Sequence, residues 1–236
     1  MKNIPRIYLN ENLETGKSFS ISKDTEHYLS RVMRTDEFLV FNNGQEFHAK
    51  LATQDNMPYA LCLMPSGRLD PSNDLTLAFA PIKQSRLEEM LSMATQTGVR
   101  KLQPVITERV NEHRVKWDRV RKIIIESAEQ SGRNSVPELA EPVKFDEFLS
   151  KTESREPKAE LFFADERTVD NNASRLTPYV SRQNDTVVLI GPEGGFSERE
   201  FAALDNADAT GISLGPTVLR AETAAVAAIA ALSHKA

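Results

Sequence analysis

Two stretches of this chain gather the residue types that hold and process small molecules. The first, IGPEGGFSERE at residues 190–200, places three glycines, a proline and an acid behind the apolar run TVVLIG. The second, SLGPTVLRAETAAVAAIAAL at residues 213–232, again ends an apolar run in Gly-Pro and carries Arg220 and Glu222 into an alanine-rich segment. Glycine at this density lets backbone approach a ligand closely. Neither stretch is a dinucleotide fingerprint or a Walker loop, because the glycine spacing differs and no Lys-Ser/Thr follows. Glu193, inside the first loop, would repel a phosphate. The chemistry that fits is a ligand bearing hydroxyls, an amine or a neutral base edge, a character that S-adenosylmethionine has. A tight strand-to-helix turn with no ligand is the alternative reading of the first loop alone.

Other reactive types are sparse. His27, His48, His113 and His234 have no partners at metal-ligand or triad spacing. The single Cys62 lies in the apolar run YALCLM and reads as a small buried hydrophobe.

The elements that must position these loops follow from periodicity. Up to about residue 70 the chain reads as short strands: RIYL, FLVF, EFHAKLA and YALCLMP, with Asn43-Gly44 as a hairpin signal. One helix, from about Asp24 to Met33 with Asp24 as N-cap, interrupts them. The pattern predicts a small β-barrel-like domain at 1–70. PSGRLDPSND marks a boundary, and a second domain is expected at 74–236. There, the buried-type strand LTLAFAP precedes a helix at about 85–97, KLQPVI precedes a helix at 117–130, and ELFFAD, TVVLIG and GISLG each end at an acid or a glycine. This alternation predicts an α/β domain with a mostly parallel sheet. Ligands in such sheets bind beyond the carboxyl ends of the strands, where Asp165, Gly191 and Gly215 fall.

Composition bounds the function classes. The chain has 236 residues, 40% hydrophobic and 27% charged, with a net charge of -5. One cysteine excludes an internal disulfide and a cysteine metal cluster. The N-terminal residues show no apolar leader, and TAAVAAIAAL is too short to span a bilayer, so a cytoplasmic protein without a membrane partner is expected. Although the chain is acidic, residues 109–133 carry seven Lys/Arg against four acids, a local excess compatible with RNA contact.

Taken together, LIGPEGGFSERE, LGPTVLRAETAA, RIYL, HYLSRVMR at residues 27–34 and IIIESAEQSGRNSVPEL at residues 123–139 resemble the SPOUT class of methyltransferases. Within it they resemble the ribosomal RNA small subunit methyltransferase E family, which methylates N3 of a uridine in 16S RNA. The resemblance covers nearly the whole chain. It implies an N-terminal PUA-like RNA-binding β-barrel, a C-terminal α/β domain with a deep trefoil knot, a homodimer, and S-adenosylmethionine as cofactor with no metal. The cofactor residues it implies are Phe163, Ala164, Ile190, Gly191, Pro192, Glu193, Gly194, Gly195, Leu214, Gly215, Val218 and Leu219. The chain departs from the family at Thr217, where a basic residue is usual, and at Gln96 in TQTG, where Thr-Glu-Leu-Gly is usual.

The chemistry implied needs a base, or a cation that stabilises the uracil anion, because N3 is protonated at neutral pH. Arg220 is the expected cation, and Glu222 or Glu193 the expected proton acceptor. Arg6, Arg31, Arg34, Lys83, Arg86 and Arg133 are the expected RNA contacts. A knotted enzyme acting on a ribose 2′-hydroxyl and an inactive RNA-binding protein are the rival readings.

Overall fold

The structure, a computed structural model, describes residues 4–55, 57–68, 70, 74–111, 114–154, 159–168 and 185–233. The chain divides into two compact units, Met1–Ser72 with Ile125–Val136, and Asn73–Ile124 with Pro137–Ala236. The first break falls in the Pro/Gly/Ser stretch read as a boundary. The inclusion of Ile125–Val136 in the first unit departs from the purely sequential division at 70–74.

The first unit is a mixed five-stranded sheet of β1 (Arg6–Tyr8), β2 (Ser18–Ser20), β3 (Glu37–Asn42), β4 (Gln45–Gln54) and β5 (Met57–Pro65). The strand order is β1-β3-β4-β5-β2, with β1 parallel to β3 and the other pairs antiparallel. It corresponds to the PUA-like module expected. Asn43 and Gly44 both take positive φ, 49° and 78°, and Asn42 pairs Gln45, so the hairpin closes through the two-residue turn that this dipeptide favours. Inward residues of the strands, among them Ile7, Phe19, Phe38, Val40, Phe47, Ala60 and Cys62, form the core. The expected single helix is two pieces: α1 (Lys23–His27) runs into a π-helical segment, Tyr28–Met33, which ends at Arg34 in the left-handed region. Its N-cap is Ser22, whose hydroxyl accepts from the Thr25 amide, rather than Asp24, which occupies the first turn.

The second unit is built on a parallel sheet of β6 (Leu75–Phe79), β7 (Lys101–Ile106), β8 (Glu138–Leu139), β9 (Val143–Lys144), β10 (Glu160–Ala164), β11 (Thr186–Ile190) and β12 (Thr210–Ile212). The order is β12-β10-β11-β6-β7-β8, with β9 also on β7; every pair is parallel. β6 and β11 are buried at all five positions, which is why they read as unbroken apolar runs rather than alternating ones. Among the described residues, α2 (Gln84–Gln96), α3 (Trp117–Ser131, whose later part falls in the first unit), α4 (Phe145–Glu153), α5 (Glu198–Asn206) and α6 (Ala221–Ser233) accompany the sheet. α6 packs on α2, β6 and β11, although β12 lies at the sheet edge. Residues 213–220 therefore carry the chain from the edge of the sheet back to its centre, and alanines at 221, 224, 225 and 228, all buried, let that last helix sit close.

Candidate functional site

Parallel register brings four strand ends together. Ala164 of β10 pairs Ile212 of β12, Phe163 pairs Leu189 of β11, and Ile190 pairs Phe79 of β6. Just beyond these ends lies a cavity of about 290 Å³, at the lower end of the size range of ligand pockets, roughly 300–1,000 Å³. The first Gly-Pro loop lines it through Gly191, Pro192, Glu193, Gly195 and Phe196, and the second through Leu214, Thr217, Val218, Leu219 and Arg220. Ala164, Asp165 and Glu166 at the end of β10, Ile190 and Ile212, and Ala221 and Ala224 of α6 complete the lining, and Arg86 of α2 contributes a cation.

The glycine loop is held from behind on both sides. Phe196, immediately after it, is 3% exposed and stacks edge-on with Phe163 at 6.2 Å and Phe201 at 5.5 Å. α5 then starts with a reciprocal cap: the Ser197 hydroxyl accepts from the Glu200 amide at 3.2 Å, and Glu200 Oε2 accepts from the Ser197 amide at 2.9 Å. Glu200 is fully buried, and its Oε1 accepts the Glu108 amide at 2.8 Å. The loop after β7 adds Arg109, whose Nη1 donates to the Gly194 carbonyl at 2.9 Å, and Glu108, which pairs with Arg199. A hydrogen bond from Ser197, then Arg199, holds the Glu108 carboxyl below the ordinary carboxylate range. Gly195 sits at φ +67°, and a Cβ there would collide with the Glu166 carboxylate; one on Gly191 would come within 3.1 Å of the Phe196 ring. Gly195 needs glycine for its conformation, since the Glu166 carboxylate ends an exposed side chain that can move aside, and Gly191 packs tightly against the Phe196 ring.

Charge in the cavity is divided by source. Asp165 is bound by Arg167 through Nε at 2.9 Å and Nη2 at 2.8 Å, and Arg167 also reaches Asp205 and lies over the Phe201 ring at 4.0 Å. Hydrogen bonding to Asp165 pushes the Arg167 guanidinium above its ordinary value. Asp165 is thus already neutralised, and Glu166 and Glu193 supply the uncompensated acidity. Arg86 and Arg220 have no ion-pair partner among the described residues.

The structure brings most, not all, of the expected site residues to the cavity. Ala164, Ile190, Gly191, Pro192, Glu193, Gly195, Leu214, Val218, Leu219 and Arg220 line it. Phe163 lies in the core beneath it, Gly194 faces Arg109, and Gly215, at φ +136°, shapes the second loop without lining the wall. Glu222 is 7% exposed and lies off the cavity wall; its Oε2 is buried without a hydrogen-bond partner among the described residues. Asp165, read as a strand end where ligands gather, and Thr217, read as a departure from the family, also line the cavity; the lining residues missed, Glu166, Phe196, Ile212, Ala221 and Ala224, all flank ones that were named.

The expected RNA contacts separate into two groups. Arg31 and Lys83 are exposed, as is Arg34, and Arg86 is half-buried. Arg31 shares a shallow polar depression with Lys23, Glu26, His27 and Ser30. Arg6 and Arg133 are corrected to structural residues. The Arg6 side chain is 9% exposed and donates to Glu46 at 2.7 Å, to the carbonyls of Ala128 and Glu129 at 3.2 Å, to the Arg133 carbonyl at 2.7 Å and to Asn134 Oδ1 at 2.7 Å. Those bonds use all five donors of a guanidinium, so none remains for a phosphate. Arg133 is 2% exposed; burial pulls its guanidinium below the ordinary value, with Asp70 opposing.

A methyl donor of the adenosyl-sulfonium type fits this cavity. The amides of Thr217, Val218 and Leu219 have no hydrogen-bond partner among the described residues and can serve a base edge or hydroxyls. Ala164, Gly191, Ala221 and Ala224 leave room for a ring, and Glu166 and Glu193 suit a cationic tail. A di- or triphosphate does not fit, since no lysine lines the cavity among the described residues and Glu166 and Glu193 face into it.

Comparison with known proteins agrees. A family model described as RNA methyltransferase domain matches residues 70–233. The ribosomal RNA small subunit methyltransferase E of Rickettsia conorii is 33% identical over 95% of this chain and 93% of its own. Among solved structures, the enzyme of the same name from Neisseria gonorrhoeae, crystallised bound to S-adenosyl methionine, is 29% identical over 98% of this chain and 97% of its own, with a TM-score of 0.83. A Legionella pneumophila protein solved with bound cofactor SAM is 27% identical over the same shares, with a TM-score of 0.82. With its strand-end cavity, its two Gly-Pro walls and likeness along nearly its full length, the chain belongs to the ribosomal RNA small subunit methyltransferase E family of RNA methyltransferases.

Proposed function

We propose that the chain transfers a methyl group from S-adenosylmethionine to N3 of a uridine in small-subunit ribosomal RNA. The observation that carries this reading is the cavity between the two Gly-Pro loops, with its bare amides, small lining residues and acids. When bound there, S-adenosylmethionine supplies an electrophilic methyl group. Thr217, Val218 and Leu219 hold its adenosine through their amides, and Glu166 and Glu193 face its positive charge. Arg220, unpaired on the cavity wall, stabilises the negative charge that grows on the uracil ring as N3 loses its proton. Glu193, which also lines the cavity, is the better-placed proton acceptor; Glu222, one residue from Ala221, is the second candidate. N3 lies on the Watson–Crick edge, so the target uridine must be unpaired when it reacts.

The first unit supplies RNA contacts through Arg31 and Arg34, and Lys83 and Arg86 supply them in the second. The reading extends to a cytoplasmic homodimer with a knotted second unit. Exposed Val218 and the half-buried Val226 and Ala227 of α6 offer an apolar surface for self-association; no described helix is long and apolar enough to cross a membrane.

Calorimetry with S-adenosylmethionine and methyl transfer to unmodified small subunits test the reading. Binding in the micromolar range with transfer to RNA supports it. Absence of cofactor binding sinks the enzyme, and cofactor binding without transfer leaves only an RNA-binding protein.

A further inference from the structure

We infer that Arg86 is a substrate contact of the same crevice, gripping a phosphate of the RNA strand next to the target nucleotide. The inference rests on the functional reading above. Arg86, from α2, and Arg220, from the loop before α6, line one cavity though 134 residues separate them in sequence. Neither has an ion-pair partner among the described residues, whereas Arg6, Arg100, Arg119, Arg121, Arg167 and Arg199 each have one.

The position of Arg86 works against the fold. It is half-buried, which costs solvation and side-chain freedom with no ion pair among the described residues in return. It also lies in the first turn of α2, a turn with no acid and no side-chain cap from Lys83, where a cation opposes the helix dipole. An incoming anion relieves both costs. Exposed Lys83, just before the helix, extends the positive surface beyond the cavity. That extension suits a polyanionic strand better than the single carboxylate of the methyl donor. Arg220 is thereby left free for the uracil ring.

Full-length Arg86→Ala, Arg86→Lys and Arg86→Glu variants test this against S-adenosylmethionine alone and against unmodified small-subunit RNA over a range of salt. Cofactor affinity should stay within about twofold of wild type. For Arg86→Ala, the KM for RNA should rise on the order of tenfold with little change in kcat. The log–log salt slope should become shallower by about 0.7–0.9, one phosphate's worth. Arg86→Lys should recover much of the affinity, because lysine binds phosphate as a point charge. The Tm of the Ala and Glu variants should equal or exceed wild type, an outcome that a structural role cannot give. Weaker cofactor binding with unchanged RNA affinity would assign Arg86 to the donor's carboxylate and overturn the inference, as would a fall in Tm. If wild type itself transfers no methyl to RNA, the functional reading fails first; if it does and Arg86→Ala keeps wild-type KM and salt slope, only this inference fails.

Discussion

At the scale of single residues, the glycine loop makes the sharpest demand. Gly195→Ala forces a left-handed φ on a residue with a Cβ, costing roughly 1–2 kcal/mol, and pushes the Glu166 carboxylate out of its place beside the loop. The variant should lose cofactor affinity by calorimetry while retaining its secondary structure by circular dichroism. Arg6 makes the opposite demand. Removing a partner of its buried pair with Glu46 should lower stability by about 3–5 kcal/mol in urea unfolding. An Arg6→Ala protein with wild-type stability but weakened RNA binding would contradict the structural assignment. Glu129 offers a pH test. Burial, its main influence, raises its carboxyl above the ordinary 4.5, even though the Tyr8 amide donates to it. The folded state therefore keeps a proton that the unfolded state has released, so this group's contribution to stability is present below that ordinary value and is lost as pH climbs through the raised one. Glu129→Gln keeps an acceptor for Tyr8, should flatten that part of the profile, and should match or exceed wild-type stability at neutral pH. Sequence alone could not separate Arg6 and Arg133 from Arg31 and Arg34, because an arginine reads the same whether its five donors meet phosphate or carbonyls. The glycines were legible because their spacing after an apolar run has few other uses.

At the scale of elements, α5 shows how local sequence fixes the site. Ser197 and Glu200 form a capping box that the FSERE string spells out, and Glu200 additionally anchors the loop after β7. Ser197→Ala should cost about 1 kcal/mol. Because the cap sits directly behind Phe196, it should weaken cofactor binding as well, and thermal unfolding with and without S-adenosylmethionine reads both effects. α4 went unread although Phe145, Phe148, Leu149 and Thr152, all buried, recur at helical spacing; a short helix between two-residue strands leaves little window for a period to register. The π-helical turn at Tyr28–Met33 was likewise invisible, since it has the same apolar positions as an α-helix and differs only in winding. By contrast, β6 and β11 were legible as buried parallel strands from their uninterrupted apolar character.

At the scale of the whole molecule, the sequential reading of two domains met one surprise. Ile125–Val136 belongs with the first unit, held there by Arg6 reaching the carbonyls of Ala128, Glu129 and Arg133. Those are bonds to backbone, which no residue pattern reveals. The cavity beyond the strand ends, on the other hand, was largely legible, because parallel α/β sheets gather their ligands there and two such ends carried the same Gly-Pro sign. If the half-buried Val226 and Ala227 of α6 and exposed Val218 are an interface, sedimentation should give a dimer, and Val226→Asp should shift it toward monomer. The central claim, uridine N3 methylation, is tested most directly by nucleoside analysis of small-subunit ribosomal RNA from cells lacking this protein, with and without its restoration. The account predicts that 3-methyluridine disappears and returns with the wild-type chain but not with Gly195→Ala. Unchanged 3-methyluridine, or loss of a ribose-methylated nucleoside in its place, would contradict it.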